Sequence, residues 1–312
     1  MKIAIYNGCH YHFELYGYII HYCNRYNYSL TIYDIREKDT NHYFELFQTI
    51  FTTIVYKDIS EFTNDKLSYD YIFLTTDDDY MFDCNDTSIH DRIICIDHAI
   101  DIRRPCFKNH IACRPFPAPY LRDSAVPIFP ITTHKQLIYD PLVNDIHITI
   151  IGDTWHTYDT AVINRLFFPR NPNKIHIHSI GRITEKNKFP NLDESKFTLH
   201  LHKNIDTMEM ISIMDHTHYL LVGIHATKDY VNHVMNGAVM FSFSTLTPIL
   251  LQKEMNQYYQ FKNVIEFEVN CDTPIELQPF EDMSIMAERD NIIEQNNALF
   301  ESYLKPAKVD TW

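Results

Sequence analysis

The chain has 312 residues, of which 45% are hydrophobic, and a formal net charge of −14. This length and composition suffice for the core of one large or two ordinary domains, and they exclude a disordered chain. The negative charge repels nucleic acids and anionic membranes at long range, so only a local basic pocket would bind a small phosphorylated ligand.

The N-terminal residues Met1–Tyr6 lead directly into a strand-like run, without the charged and apolar regions of a signal peptide. No apolar run approaches the roughly 20 residues needed to span a bilayer. Seven cysteines without a Cys-x-x-Cys pair are typical of free thiols in a reducing compartment. We therefore expect a cytoplasmic protein with no membrane span.

In the first half, short apolar runs alternate with stretches of helical periodicity, as in the strand-helix units of a parallel sheet. The predicted strands are Lys2–Tyr6, Leu30–Tyr33, Thr53–Tyr56, Tyr71–Thr75, Arg92–Ile96 and Ile111–Arg114. The first helix is predicted over Phe13–Tyr26. Seven prolines between Arg104 and Pro141 argue against regular helix there, so this region is predicted to connect two domains.

A second strand-helix series begins at His147. Its predicted strands are His147–Ile151, Lys174–Ile180, Thr198–Leu201, Tyr219–Val222, Val239–Phe243 and Asn263–Glu268. Asp206 is predicted to cap one helix, and Thr247–Pro248 to begin another. Apolar residues repeat along Asp282–Tyr303 as in one long helix, which either clamps the two domains together or covers the second sheet.

The most informative stretch is Tyr219–Ser244, where Gly223 ends a strand and Asn236–Gly237 is expected to end a helix and open the next strand. The helix N-terminus would lie at the carboxyl end of a parallel strand, where backbone N–H groups favour a diphosphate. His225, Thr227 and Lys228 add side-chain donors. The alternative is an ordinary strand-helix-strand unit that binds nothing.

Tyr219–Glu254 resembles the C-terminal domain of GT-B glycosyltransferases, in which a strand, a donor-binding loop, a helix and a small-residue turn precede another strand. Many retaining members carry two glutamates here. This chain has Ile224 or His225 at the first position and Asn232 at the second, so the resemblance implies that Asn232 hydrogen-bonds a hydroxyl of the donor.

The resemblance implies an α/β chain with two Rossmann-like domains whose parallel sheets face a central cleft. The predicted domains are residues 1–140 on the acceptor side and residues 141–281 on the nucleotide-sugar side, followed by the helical segment 282–312. Two more strand-ending loops of the second domain fit a donor site or, alternatively, are solvated turns. The complete set of predicted donor-binding residues is Gly152, Asp153, Thr154, Gly181, Arg182, His225, Thr227, Lys228, Asn232 and Thr245.

Three loops of the first domain follow predicted strands and would supply the acceptor side. Transfer with inversion needs a base near the attacking hydroxyl, and His98, Asp79 and His10 are the candidates. A retaining enzyme would need no such base. Asp77–Asp79 also suits Mg²⁺ or Mn²⁺ bridging a diphosphate, as in GT-A glycosyltransferases, or it is a solvated acidic loop.

Four His-x-His pairs invite a zinc interpretation, since alternate residues of a strand share a face. They are His10/His12, His176/His178, His200/His202 and His216/His218. With 18 histidines in the chain, chance pairs are expected, and the ordinary interpretation is favoured for all four.

The sequence as a whole predicts a metal-independent glycosyltransferase that moves a hexosyl or pentosyl group from a nucleotide sugar to a glycan or other hydroxyl acceptor. It predicts no obligatory cofactor and no nucleic-acid partner, and the oligomeric state cannot be read from these residues. The alternatives are a metal-dependent transferase using Asp77–Asp79 and a non-catalytic binding protein on the same scaffold.

Overall fold

The apolar runs of the sequence form parallel β-strands separated by helices in a computed structural model of the chain. The structure describes residues 1–9, 11–35, 39, 42–51, 54–75, 82–99, 106–116, 123–131, 145–152, 160–167, 174–181, 189, 191–224, 231, 236–270, 273–275, 277 and 282–304.

Six strands form the N-terminal sheet: β1 (Lys2–Tyr6), β2 (Ser29–Asp34), β3 (Ile54–Asp58), β4 (Tyr71–Leu74), β5 (Ile93–Asp97) and β6 (Asn109–Ala112). They pair in parallel in the order β3-β2-β1-β4-β5-β6. Consecutive residues Ile3, Ala4 and Ile5 are fully buried, so both faces of the central strand are covered.

Six further strands form the C-terminal sheet: β7 (Ile146–Ile151), β8 (Ile175–Gly181), β9 (Phe197–Lys203), β10 (Tyr219–Leu221), β11 (Ile249–Gln252) and β12 (Val264–Phe267). Their order is β12-β11-β10-β7-β8-β9, and all pairs are parallel. Starting from the other edge, the order is β9-β8-β7-β10-β11-β12. Counted within this unit, these are its third, second, first, fourth, fifth and sixth strands, which is the same order as in the N-terminal sheet. Both sheets have the doubly wound order of a Rossmann fold, and the prediction of two Rossmann-like domains is confirmed.

Helices connect the strands. The α-helices of the described part are α1 (Gly17–Arg25), α2 (Tyr43–Ile50), α3 (Phe62–Asp65), α4 (Thr160–Leu166), α5 (Thr207–Met214), α6 (Ala238–Ser244), α7 (Lys253–Tyr259) and α8 (Asp282–Leu304). Short 3-10 helices span Phe13–Tyr16, Ile59–Glu61, Lys66–Ser68 and Thr87–Arg92. Asp206 caps α5 as predicted, with its carboxylate accepting a hydrogen bond of 2.8 Å from the Glu209 backbone N–H.

The chain divides into two compact units. The N-terminal unit consists of Met1–Phe129 and Asn291–Trp312, and the C-terminal unit of Pro130–Asn232 and Asn236–Asp290. Helix α8 therefore begins in one unit and ends in the other.

The first turns of α8 hold the C-terminal unit through Glu288, whose carboxylate accepts hydrogen bonds from the backbone N–H groups of Lys262 and Asn263. Its later turns complete the core of the N-terminal unit. Phe300 is fully buried there, and its ring centroid is 5.3 Å from that of Tyr22.

One predicted strand of the C-terminal unit is wrong. Residues 239–243 lie in helix α6, and β11 follows Thr247–Pro248, where a helix was expected. Every residue of α6 is buried, and periodicity cannot distinguish a short helix buried on all sides from a buried strand. Asn236 opens this helix, because its side-chain oxygen accepts a hydrogen bond of 2.9 Å from the Ala238 backbone N–H.

None of the described helices has both the length and the apolarity that a membrane crossing requires.

Candidate functional site

The strand order places a switch point in each sheet. It lies between β1 and β4 in the N-terminal unit and between β7 and β10 in the C-terminal unit. Connections leave the two strands at a switch point in opposite directions, which opens a crevice beyond their carboxyl ends where ligands of α/β proteins bind. The predicted loops after β1, β7 and β10 all begin at these two crevices.

In the N-terminal unit, Asn7 shapes the turn that follows β1. Its fully buried side chain accepts a hydrogen bond of 3.0 Å from the Cys9 backbone N–H and donates one of 3.1 Å to the Tyr11 carbonyl. The turn ends at His12, whose φ of 68° is left-handed. Because one buried amide bonds both sides of the turn, the backbone that carries His12 is held in a defined position.

A histidine–carboxylate cluster lies at this edge. The Nδ1 atom of His12 is 3.1 Å from a carboxylate oxygen of Glu14, and the His12 ring centroid is 4.0 Å from that of His98, just after β5. Among the described residues, the second nitrogen of His12, Nε2, has no hydrogen-bond partner. The cluster joins two strand ends and offers a ring nitrogen beside an orienting carboxylate, which is the arrangement of a general base.

Burial and charge set the protonation of the cluster. Burial, reinforced by the neighbouring His12, lowers the pKa of His98 to about 3, so the His98 ring is neutral at neutral pH. Burial alone would raise the pKa of Glu14, but the hydrogen bond and charge of His12 outweigh it, and the pKa falls below its usual value. Glu14 is therefore a carboxylate that His12 stabilises.

The neighbouring Asp97 has a different role. It is fully buried, and its carboxylate is 2.8 Å from Nδ1 of His110 on β6. Asp97 therefore ties β5 to β6. The other two predicted bases of this unit, His10 and Asp79, lie outside the described residues, together with Asp77 and Asp78.

In the C-terminal unit, two of the predicted glycines meet at the ends of β7 and β8. Gly152 has a φ of +115°, and its N–H donates a hydrogen bond of 2.9 Å to the Ile180 carbonyl. A Cβ atom on Gly181 would lie 2.4 Å from the carbonyl oxygen of Gly152. Backbone groups therefore approach each other at this edge more closely than any side chain permits. Gly223, just after β10, is also left-handed, with a φ of 41°.

Thr245, another predicted donor-binding residue, does not lie near these glycines. It follows the C-terminal end of α6 and precedes β11, so it is at the amino edge of the sheet, whereas Gly152 and Gly181 are at the carboxyl edge. Its hydroxyl is fully buried and donates to the Phe241 carbonyl at 2.7 Å. Thr245 is not brought together with the glycines because the strand expected before it is a helix.

The other predicted donor contacts lie outside the described residues. They are Asp153, Thr154, Arg182, His225, Thr227, Lys228 and Asn232.

Sequence reasoning missed two groupings of histidines. His12 and Glu14 were not singled out as a pair, although a His-x-Glu spacing directly after a strand is a readable signal. The pairs His176/His178 and His200/His202 meet on neighbouring strands, and the signal for this was histidine at alternate positions of successive predicted strands.

No protein-family model matches the chain, and no curated protein matches it in sequence. Its fold is similar to that of the kitacinnamycin glycotransferase, with 10% identity, a TM-score of 0.54, and coverage of 97% of this chain and 99% of that one. An alpha-glucosyltransferase solved with UDP and a 13-mer DNA has 10% identity and a TM-score of 0.53, with coverage of 98% and 93%. Anabaena HepE, solved with UDP, has 10% identity and a TM-score of 0.53, with coverage of 98% and 96%.

These likenesses extend over both Rossmann-like units and identify the fold of the chain as the GT-B type. At 10% identity these likenesses establish the fold but assign no reaction to this chain.

Proposed function

We propose that this protein is a metal-independent glycosyltransferase that moves a sugar from a nucleotide diphosphate sugar to a hydroxyl group of a glycan or other acceptor. The observation that carries the proposal is the likeness of 97–98% of the chain to transferases, two of which were solved with UDP. The C-terminal unit would bind the donor, and the N-terminal unit would bind the acceptor and supply the base.

The donor assignment is supported by the glycines at the carboxyl edge of the C-terminal sheet. A diphosphate bound to backbone N–H groups needs an edge without side chains, and Gly152 and Gly181 provide one. The loop after β10 begins at the same switch point, and His225, Thr227 and Lys228 are its proposed phosphate contacts. Asp153, Thr154, Arg182 and Asn232 remain proposed contacts to the rest of the donor.

For catalysis we favour inversion with His12 as the base. The acceptor oxygen would attack the anomeric carbon, its proton would pass to His12 Nε2, and the nucleotide diphosphate would leave with the electrons of the broken C–O bond. Glu14 would orient the ring through Nδ1 and stabilise the imidazolium that forms. His98, with a pKa of about 3, is a weak base at neutral pH and would contact the His12 ring.

The acceptor is proposed to be uncharged or weakly charged. One structure of similar fold was solved with DNA, but the net charge of −14 of this chain opposes a polyanionic acceptor. We therefore propose that the acceptor group is a hydroxyl of a small molecule or a glycan.

The first test is calorimetry of the full chain against UDP-, GDP- and TDP-sugars, followed by measurement of donor hydrolysis and transfer with and without EDTA. We expect one nucleotide class to bind and turnover to persist in EDTA. Loss of turnover in EDTA would favour the metal-dependent alternative at Asp77–Asp79. Binding without turnover would favour a non-catalytic binding protein, and no binding to any donor would refute the transferase.

The second test compares two histidines in similar local settings. His12 and His42 both precede a helix with left-handed backbone, at φ of 68° and 57°, and both have Nδ1 beside a glutamate, at 3.1 and 3.3 Å. The difference is that the His12 ring also lies against the ring of His98 just after β5. Removal of a general base costs about 10²–10⁴ in rate, so His12→Gln should lower kcat by that factor with unchanged donor affinity, while His42→Gln keeps wild-type kcat. Equal rates in the two variants would remove His12 from the mechanism.

A further inference from the structure

A cavity of about 90 Å³ lies beside the switch-point strands of the N-terminal sheet. Its lining includes Tyr6, the last residue of β1, and Phe82, which follows β4 along the chain. These are the two strands whose connections diverge at the switch point. Few voids in a protein interior are larger than one water molecule, so a space of this size in this position is a candidate ligand site.

Three aromatic residues, Tyr6, Phe62 and Phe82, supply the apolar part of the lining together with Ile59 and Ile89. All three aromatic residues are buried. The ring centroid of Tyr6 is 4.7 Å from that of Phe62 and 5.1 Å from that of Phe82, and the Tyr6 and Phe82 rings are nearly perpendicular, at 86°. Because aromatic rings pack favourably edge to face, this cluster favours a planar apolar ring as its next neighbour.

The rest of the lining is polar. Lys66 and Asp86 both line the cavity and form an ion pair in which both side chains are mostly buried. An ammonium group has three N–H donors, and within the described part of the chain Asp86 is the hydrogen-bond partner of the Lys66 ammonium. Lys66 can therefore donate a second hydrogen bond to an oxygen substituent of a bound ring.

The charges at the cavity favour a neutral ligand. Asp83 lines the space in addition to Asp86, so an acidic ligand would meet two charges of its own sign. A cationic ligand would compete with Lys66 for the Asp86 carboxylate. A neutral ring with a hydroxyl avoids both costs.

The volume fits a single ring. In another protein, a closed apolar cavity of about 150 Å³ binds benzene. The space here is smaller, but Thr63 and Asp83 in its lining are exposed, so it opens to solvent. One ring can therefore enter with an edge left outside, whereas a fused ring system or a chain of sugars would not fit within it.

We propose that this cavity binds one neutral aromatic ring that carries a hydroxyl, a phenol-type group, and that the ring belongs to the acceptor. The second half of the proposal rests on the proposed transferase function. It is supported by the continuity of the chain, since Tyr6 lines the cavity and the next residue, Asn7, holds the turn that ends at His12. The acceptor would carry this ring in addition to the hydroxyl that receives the sugar.

The test measures the fluorine NMR signal of para-fluorophenol with the full-length chain and without a nucleotide sugar. We expect saturable broadening of this signal. Fluorobenzene, which lacks the hydroxyl, and para-fluorobenzoate, which is negatively charged, should each bind more weakly. The absence of saturable para-fluorophenol binding, or tighter binding of para-fluorobenzoate, would overturn the proposal.

Thr63→Phe and Leu67→Phe form a matched pair of variants. Both residues are exposed, but Thr63 lines the cavity, whereas Leu67 lies on the following 3-10 helix outside the lining. The phenyl group that Thr63→Phe introduces should occupy the cavity and weaken para-fluorophenol binding at least about tenfold. Leu67→Phe should bind the probe like the wild type. Circular dichroism and thermal melting establish that the variants are folded, and equal affinities in the two would contradict the assignment of the probe to this cavity.

Lys66→Met tests the hydrogen bond to the hydroxyl. Asp86 keeps its hydrogen bonds from the backbone N–H and the hydroxyl of Ser88 in this variant. The preference for para-fluorophenol over fluorobenzene should fall by about tenfold, as expected for the loss of a hydrogen bond from a charged donor. An unchanged preference would contradict the phenol-type assignment.

The binding measurement is independent of the transferase reaction because it uses no nucleotide sugar. Binding of para-fluorophenol by a chain that binds no nucleotide sugar would support the site and refute its assignment to an acceptor. Sugar transfer by a chain that does not bind para-fluorophenol would refute the site and leave the transferase in place.

Discussion

The two units share one strand order and differ in what they put at the ends of the strands. The carboxyl edge of the N-terminal sheet carries side chains. His12 contacts Glu14 and His98, and Asn7 hydrogen-bonds the backbone of the turn after β1. The corresponding edge of the C-terminal sheet is bare backbone where Gly152 meets Gly181. The same topology thus provides acid–base groups in one unit and a surface for close backbone approach in the other.

The units differ also within their sheets. The central strands of the N-terminal sheet are apolar on both faces, whereas one face of the C-terminal sheet carries five histidines on neighbouring strands, namely His147, His176, His178, His200 and His202. The strand order is the same in both sheets despite this difference, so the chemistry of a unit depends on a small number of polar positions that the fold tolerates.

Of the changes considered, lowering the pH should produce the largest difference in stability between the two units. His147 and His178 have pKa values lowered to about 4 and about 3 in the folded chain, against 6.5 for the ordinary group. Below pH 6.5 the unfolded chain binds protons that the folded chain does not, so stability falls as the pH falls. Each such histidine contributes a slope of at most about 1.4 kcal/mol per pH unit.

The N-terminal unit has His98 as its described histidine with a large shift of this kind, whereas the pKa values of His200 and His202 are also lowered in the C-terminal unit, so the slope of the N-terminal unit should be shallower. The measurement is the free energy of unfolding in urea, with EDTA present, between pH 7 and pH 4.5. Hydrogen exchange would follow each unit separately. His178→Gln should flatten the slope of the C-terminal unit alone. Equal slopes in the two units would break the comparison.

Much of the strand pattern was predictable from sequence, because strands such as β1, β4 and β5 are short apolar runs that a parallel sheet buries on both faces. The exchange of helix and strand around Ala238–Ser244 was not predictable, since this segment is buried on every side and periodicity carries no signal. The histidine contacts depend on which strands become neighbours. His200 meets His176 only because β9 pairs with β8, and that order is a tertiary property.

A matched pair of glycine substitutions should have the next largest effect. Gly181→Ala would put a Cβ atom 2.4 Å from the Gly152 carbonyl oxygen, and Gly17→Ala would put one 2.0 Å from the ring of Phe129. Overpacking of this kind costs typically about 1–3 kcal/mol. Each variant should lower the unfolding free energy of its own unit in urea titrations.

The two glycine variants should separate in nucleotide affinity. Gly181→Ala disturbs the proposed donor edge and should weaken donor binding in calorimetry, whereas Gly17→Ala should leave it unchanged in the folded fraction. Weaker binding in both variants, or in neither, would show that the glycine edge has no special relation to the donor.

The smallest effect is expected at the start of α5. Asp206→Ala removes the carboxylate that accepts from the Glu209 backbone N–H and should cost about 0.5–2 kcal/mol of the C-terminal unit's stability. Asp206→Asn keeps a capping oxygen and should restore most of it. In the N-terminal unit, the comparable carboxylate caps are Asp58 and Asp86, which accept hydrogen bonds at the start of 3-10 helices. Equal melting temperatures of Asp206→Ala and Asp206→Asn would contradict a capping role.

Helix α8 has a consequence for how the chain is made. Phe300 fills the core of the N-terminal unit between Tyr18, Tyr22 and Phe73, although the last described strand of that unit ends at Ala112. During synthesis, the first sheet therefore leaves the ribosome long before the side chain that closes its core. The N-terminal unit must wait, partly open, until the C-terminal unit has been translated, and a nascent chain stopped before Asn291 should remain sensitive to protease in its first 129 residues.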